Sequence, residues 1–125
     1  MSTILMSIKP KYVDMIFNGY KTYEYRKKPC KKDIDKIIVY SSSPVKKVIG
    51  ELLIDEVLYD EKDIIWNKTH LTGGINRKEF DEYFGNQDKA LAYKIKKYIK
   101  YDEYKTLKDY NILYSPQSYV YIDKE

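Results

Sequence analysis

Short apolar runs recur along the chain, and most of them alternate with polar positions in the way that β-strands do. In residues 22–26, Tyr23 and Tyr25 alternate with polar side chains, so the two sets face opposite sides of a strand. Six segments are predicted as strands, namely residues 3–8, 22–26, 37–40, 48–59, 93–99 and 119–122. Because so small a domain must hide its strand edges, the pattern favours a closed or nearly closed barrel.

Helical periodicity interrupts the strands in two places. Residues 10–17 begin with a proline, which suits the first helical position, and carry apolar side chains at helical spacing as far as the helix-ending Gly19. Asn76 followed by Glu79 resembles a capping box, which predicts a helix that ends at Phe84. The other expected features are a helix or turn at 64–66, a short helix ending at Ala90, loops at 27–36 and 67–74, a turn at 115–118, and a bulge or close approach at Gly50.

The chain of 125 residues suits one core, so residues 1–125 are expected to fold as a single domain. No apolar run approaches the roughly 18–20 residues that span a bilayer, and the N-terminus lacks the features of a secretory signal. The single cysteine, Cys30, allows no internal disulfide, which fits a reducing compartment and predicts a cytoplasmic protein. With one histidine, His70, and one cysteine, no metal or other cofactor is expected.

Basic residues are concentrated in the first part of the sequence. Residues 1–50 carry 11 Lys and Arg against 4 Asp and Glu, whereas residues 51–125 carry 12 against 15. A basic region of this kind suits an anionic ligand such as nucleic acid. The alternative is that many lysines only solvate the fold. The 15 tyrosines have the same two interpretations, since they either stack on bases or pack in the core and at its rim.

Lys9 and Lys21 flank the first predicted helix. Lys9 lies at its N-terminus, where unpaired N–H groups and the helix dipole favour an anion. Lys21 lies beyond the other end of a helix roughly 13 Å long, so the two lysines share a site only if packing brings the strands together. Glu24 and Arg26 fall on one face of the second strand. Periodicity alone favours an exposed ion pair there, worth only about 0–1 kcal/mol.

Four motifs change that interpretation. Residues 9–10 followed by 19–26 are similar to the G-x-K-x-x-E-x-R signature of the ASCH domain family, within the wider PUA-like superfamily. The further matches are a Y-x-[TS]-x-P segment at 40–44, a hydrophobic-Gly-Glu strand at 48–51 and a P-Q-[SP]-aromatic turn at 116–119. The matches run from Leu5 to about Ile122, and their order and spacing carry the resemblance.

The resemblance implies an α+β fold, a PUA-like β-barrel of about six strands with two to four short helices packed outside it. PUA-like domains bind RNA or modified bases, so the implied partner is RNA, a nucleotide or a modified nucleoside, in RNA metabolism or transcription-linked regulation. The ligand-binding residues that the resemblance carries over are Lys9, Lys21, Glu24, Arg26, Ser42, Ser43, Gln117 and Ser118. Lysine and arginine suit phosphate, and glutamate accepts hydrogen bonds from an exocyclic amine.

Two alternatives to this binding function stay open. One is a small hydrolase acting on RNA or a modified nucleoside, in which Lys21 and Glu24 would be catalytic and Glu24 a general base. The family's N4-acetylcytidine amidohydrolase branch resembles G-x-K-x-x-T-x-R, but here Glu24 stands at the threonine position. Thr22, on the same face of the strand, could replace that nucleophile. The later acid of that branch falls near Gly73–Gly74, where no carboxylate stands. The other alternative is a protein-interaction module with a vestigial cleft.

Overall fold

The computed structural model describes residues 1–122. Within them lie six strands, β1 (Ser2–Ile8), β2 (Tyr23–Arg26), β3 (Ile34–Ser41), β4 (Lys47–Glu61), β5 (Lys89–Lys105) and β6 (Tyr119–Tyr121). Residues 1–122 also contain three α-helices, α1 (Pro10–Phe17), α2 (Lys62–Thr69) and α3 (Arg77–Phe84), and two 3-10 turns at His70–Thr72 and Leu107–Tyr110. The six predicted strands are confirmed, and β4 and β5 are longer than the sequence indicated.

The strands form one mixed sheet in the order β2-β5-β4-β3-β1-β6, in which β1 and β3 are parallel and the other pairs antiparallel. Within residues 1–122 the edge strands β2 and β6 are not paired with each other, so of the closed or nearly closed barrel that was expected, full closure does not form. A side chain spans the gap instead: Arg26 Nη2 at the end of β2 donates a hydrogen bond of 2.8 Å to the Ser7 carbonyl of β1. This unclosed seam is where the cavity described below opens.

The strand β1, which lies between β3 and the edge strand β6, is buried on both faces. Ile4 and Met6 pack with Val13 and Ile16 of α1, whereas Leu5 points to the opposite face and joins a separate apolar cluster. This double burial explains why the N-terminal segment is a nearly continuous apolar run, as strands covered on both sides usually are. The helix α1 therefore rests on the sheet with its N-terminus at the end of β1.

A second apolar cluster fixes α2 and α3 against β2 and β5. Phe80 and Phe84 of α3 are fully buried against Tyr25 of β2. The capping box is confirmed, since the Asn76 side chain accepts from the Glu79 N–H and the Glu79 carboxylate accepts from the Asn76 N–H. The short helix or turn expected at 64–66 is confirmed as part of α2.

Two expectations around the helices are wrong. Ala90 lies in β5 and does not end a helix, because it is fully buried in the α2–α3 cluster and tertiary packing overrides its helical propensity. The expected loop at 67–74 contains the last turn of α2 and the 3-10 turn His70–Thr72. No helix within residues 1–122 is both long enough and apolar enough to cross a bilayer.

Gly50 lies where α1 crosses the β4–β5 pair, and the close approach expected there is confirmed. An added Cβ would collide with the Ile99 carbonyl oxygen and lie 2.9 Å from Phe17 Cε1. We expect Gly50→Ala to lower the free energy of unfolding by about 1–3 kcal/mol through overpacking, measured by urea denaturation. Lys97→Ala, at an exposed position of β5, is the control and should change it by less than about 0.5 kcal/mol. An unchanged midpoint for Gly50→Ala would contradict the packing described here.

Candidate functional site

A cavity of about 460 Å³ opens beside the seam of the sheet. The end of β1, the start of α1, β2, the turn after β3, α3 and the loop before β6 all contribute to its wall. Of the residues predicted for the site, the structure brings seven to this cavity, namely Lys9, Lys21, Glu24, Arg26, Ser42, Ser43 and Gln117. In the sheet, β5, β4 and β3 lie between β2 and β1. The ends of β2 and β1 are nevertheless close in space, since Arg26 bonds the Ser7 carbonyl, and this proximity brings the predicted residues together.

Lys21 is the most deeply buried cation of this wall, with 3 % of its surface exposed. Its Nζ donates a hydrogen bond of 2.5 Å to the Gly73 carbonyl. The same nitrogen lies 4.9 Å from the centre of the Tyr25 ring and 5.3 Å from that of Tyr12. Two ring faces and a carbonyl thus surround the ammonium group, which partly replaces the water that it loses.

The Glu24 carboxylate interacts with two cations, Arg26 in β2 and Lys21 just before β2. Arg26 directs Nε and Nη2 onto one carboxylate oxygen at 3.2 and 3.1 Å, and the Lys21 Nζ lies 3.9 Å from the other oxygen. The Glu24 side chain is 7 % exposed, so the exposed ion pair favoured by periodicity alone is wrong. Two cations against one carboxylate leave the Lys21–Glu24–Arg26 cluster with a net positive charge when Lys21 is protonated.

Burial lowers the pKa of Lys21 below its ordinary value, and the nearby Glu24 carboxylate partly opposes that shift. Arg26 adds to the lowering because it is a second cation at close range. Lys21 therefore loses its proton more easily than an exposed lysine. An anion bound beside it would favour the protonated form.

Strand alternation explains how β2 serves both the cavity and the core. Glu24 and Arg26 reach the cavity as the parity predicts, while Tyr25 packs among the phenylalanines of α3. Tyr25 also lines the cavity. Its hydroxyl forms a hydrogen bond of 2.7 Å with the Thr69 hydroxyl. Thr22 pairs with Thr72 at 2.5 Å between the hydroxyl oxygens and is not part of the cavity wall, which does not favour it as a nucleophile.

The loop before β6 is held by several hydrogen bonds. Ser7 Oγ donates to the Pro116 carbonyl at 2.7 Å, and Tyr40 Oη lies 3.0 Å from Ser115 Oγ. Ser118, which was also predicted for the site, accepts a hydrogen bond of 3.2 Å from Arg26 Nη1 and does not line the cavity itself. The Ser118 hydroxyl thus positions the Arg26 guanidinium, whereas the neighbouring Gln117 lines the cavity.

The remaining lining residues were not among those predicted for the site, and they are Ser7, Ile8, Tyr12, Tyr25, Lys46, Ile75, Glu79, Tyr83, Ser115 and Pro116. Of these, Tyr25 and Pro116 lie inside two of the motifs, and the capping box fixed the position of Glu79 on α3. The amidohydrolase branch would need a carboxylate near Gly73–Gly74. At this point of the chain Lys21 instead donates a hydrogen bond to the Gly73 carbonyl oxygen.

The other groups considered for chemistry lie elsewhere. His70 stacks on Trp66, and its Nδ1 lies 3.0 Å from the Trp66 carbonyl. Cys30 lies 3.3 Å from the Tyr93 hydroxyl. No group of three or more His, Cys, Asp or Glu in the part of the chain that the structure describes could hold a metal ion.

The sequence is similar to one protein family and to several known proteins. The ASCH domain model matches residues 6–118. Over 122 residues the chain is 34 % identical to the large ribosomal subunit protein uL22 of Ureaplasma parvum, and the match covers 96 % of this chain but only 39 % of that protein. It is also 24 % identical over 127 residues to an ASCH domain-containing ribonuclease of Zymomonas mobilis, covering 97 % of this chain and 84 % of that protein.

The crystal structure of ASCH from Zymomonas mobilis superposes with a TM-score of 0.88 at 21 % identity, covering 98 % of this chain and 89 % of that one. The likeness confirms the α+β, PUA-like fold, with an open sheet of six strands in place of a closed barrel. Together with the family model, which spans nearly the whole sequence, these matches establish that the chain belongs to the ASCH domain family.

Proposed function

We propose that this domain binds RNA or a nucleotide in the cavity beside β2. The observation that carries the proposal is the burial of Lys21 and Glu24 beside the partly buried Arg26 in one cavity wall, a cluster with two cations to one carboxylate. Removing charged groups from water costs desolvation free energy. An anionic ligand that pairs with the excess cation would offset part of that free energy. The phosphate of a nucleotide is such an anion.

The shape and lining of the cavity support a nucleotide over an inorganic anion. Its volume of about 460 Å³ falls in the usual range for small-molecule sites. Aromatic side chains at Tyr12 and Tyr83 line it beside the ions, so that a base has rings to contact. Ser42 and Gln117 offer neutral donors and acceptors at the opposite rim, suited to base edges.

The comparisons point in the same direction. A relative of similar length is named a ribonuclease, which makes RNA the natural ligand class for the shared domain. The free thiol of Cys30 suits a reducing compartment, and we place the domain in the cytoplasm. The uL22 relative is much longer than this chain, so its ribosomal role is not carried over.

Salt dependence tests the binding proposal. A ligand held through phosphate should bind a mixed-sequence RNA hexamer with an affinity that falls steadily between 50 and 200 mM salt, because bound counterions are released. Fluorescence anisotropy with labelled RNA measures it. Absence of RNA or nucleotide binding at low salt would contradict the proposal, and salt-independent association with a protein partner would favour an interaction module.

The lowered pKa of Lys21 predicts a pH dependence of binding. Protonated Lys21 attracts phosphate, so RNA affinity should fall as pH rises through this pKa, and the fall should begin below the ordinary lysine range near 10.5. Anisotropy titrations from pH 7 to 10 measure it. Lys21→Met should bind more weakly and lack this component. A wild-type affinity that stays flat to pH 10 would argue against a role for the Lys21 charge.

RNA cleavage is a second candidate function, favoured by an easily deprotonated lysine beside a carboxylate at the cavity wall. In that reaction Glu24 would take the proton from a 2′-hydroxyl, the 2′-oxygen would attack phosphorus, and protonated Lys21 would protonate the leaving 5′-oxygen. Incubation with end-labelled single-stranded RNA should then yield 2′,3′-cyclic phosphate ends, and Glu24→Gln should remove them. Intact RNA at high protein concentration, and unchanged N4-acetylcytidine in a parallel assay, would leave binding as the function.

A further inference from the structure

Two loops border the cavity from different parts of the chain. The turn after β3 contributes Ser42, Ser43 and Lys46, and the loop before β6 contributes Ser115 to Gln117. Hydrogen bonds from Ser7 and Tyr40 anchor the second loop. The rim on that side is therefore a fixed surface, against which a ligand longer than the cavity would lie.

Lys46 occupies an unfavourable backbone conformation at the cavity wall. Its φ of 55° lies in the left-handed region, which glycine enters without strain and a long side chain enters only at a cost. The residue is exposed and also lines the cavity. A lysine held at this position puts a cation at the edge of the site, at the expense of local stability.

Leu113 and Tyr114 are the most exposed apolar pair next to the cavity, at 86 and 82 %. They immediately precede Ser115, whose side chain lines the cavity. The nearby Ile112, by contrast, packs into the apolar cluster on the second face of β1. An aromatic ring left in solvent beside an anchored rim is a ready platform on which a base can stack.

We infer that the cavity takes one nucleotide of a single-stranded RNA and that the rim holds its neighbours, with Lys46 on the adjoining phosphate and Tyr114 stacked on the next base. The inference rests on the proposed function and goes beyond it, because it makes the ligand a strand of at least two or three nucleotides. Charge supports a strand, since Lys9 and Lys46 both border the cavity. A free nucleoside would leave the rim residues unused.

The test compares short and long ligands on matched variants. Affinities of the four nucleoside 5′-monophosphates and of a mixed-sequence RNA hexamer are measured by calorimetry for the wild type, Lys46→Gly and Tyr114→Ala. Lys97→Ala and Tyr104→Ala are the controls, since both residues are exposed on β5 and neither lines the cavity. Urea denaturation of each variant separates binding from folding.

We expect the hexamer to bind the wild type at least tenfold more tightly than any monophosphate. Tyr114→Ala should weaken hexamer binding about tenfold and leave monophosphate binding unchanged. Lys46→Gly should weaken hexamer binding, reduce its salt slope by about 0.7, and leave the stability equal to or above that of the wild type, because strain is removed.

Three results would overturn the inference. Monophosphates that bind as tightly as the hexamer would refute the strand while leaving the proposed nucleotide site in place. Equal losses in Tyr114→Ala and Tyr104→Ala, or in Lys46→Gly and Lys97→Ala, would remove the rim residues from the site. Binding of neither ligand class by the folded wild type would refute the proposed function and the inference together.

Discussion

Replacing Glu24 with alanine should lower the free energy of unfolding by about 3–5 kcal/mol, the range seen when one partner of a buried ion pair is removed. The carboxylate is the counterion of both Arg26 and Lys21, and without it the buried Lys21 and the partly buried Arg26 would face each other as like charges. Lys21 would then release its proton more readily still. Urea denaturation followed by circular dichroism measures the loss.

An exposed ion pair on the same sheet provides the control. Asp55 and Lys94 lie 3.6 Å apart between carboxylate and ammonium, with side chains 49 and 42 % exposed. Because solvent screens this pair, Asp55→Ala should cost only about 0–1 kcal/mol. If Glu24→Ala is no more destabilising than Asp55→Ala, the buried cluster does not hold the cavity wall together.

Replacing Lys21 with methionine should weaken RNA binding about 30-fold or more, equivalent to at least about 2 kcal/mol, as expected when a buried charge that contacts an ionic ligand is lost. The fold should tolerate the change, because methionine fits between the Tyr12 and Tyr25 rings and needs no counterion. The Gly73 carbonyl would lose its donor, but removal of a buried charge offsets that cost. Fluorescence anisotropy and urea denaturation of one preparation measure both effects.

The matched control for this lysine is Lys97→Met on the exposed part of β5. It removes the same charge from the protein as a whole, so it accounts for any general electrostatic contribution. We expect it to change the affinity less than threefold. Wild-type affinity in Lys21→Met, or an equal loss in both variants, would move RNA binding away from the cavity.

Local patterns predicted the strands and two of the helices because each depends on neighbours in sequence. The alternation around Tyr23 and Tyr25 identified β2, and the capping box at Asn76 identified α3. Ala90 shows where such patterns fail. Its place in β5 depends on burial against the α2–α3 cluster, and no local feature of the sequence reports that contact.

The site was partly predictable for a similar reason. Lys21, Glu24 and Arg26 lie within one short motif, so resemblance to the ASCH family pointed to them together. Lys46 and Tyr83 reach the cavity from a turn and a helix far along the chain, and only the tertiary fold brings them there. A closed or nearly closed barrel was expected from the need to hide edges. The sheet stays open between β2 and β6, where the Arg26 side chain bridges to β1 and the cavity opens.

Amide chemical-shift mapping with the RNA hexamer tests the location of the site most directly. If the cavity binds RNA, the shifts in a ¹⁵N-labelled sample should cluster in four segments that meet at its wall, namely residues 9–12, 21–26, 42–46 and 115–117. The basic strand β5 beyond Lys94 should change little. Shifts confined to residues 94–105, with the four cavity segments unperturbed, would contradict binding in the cavity.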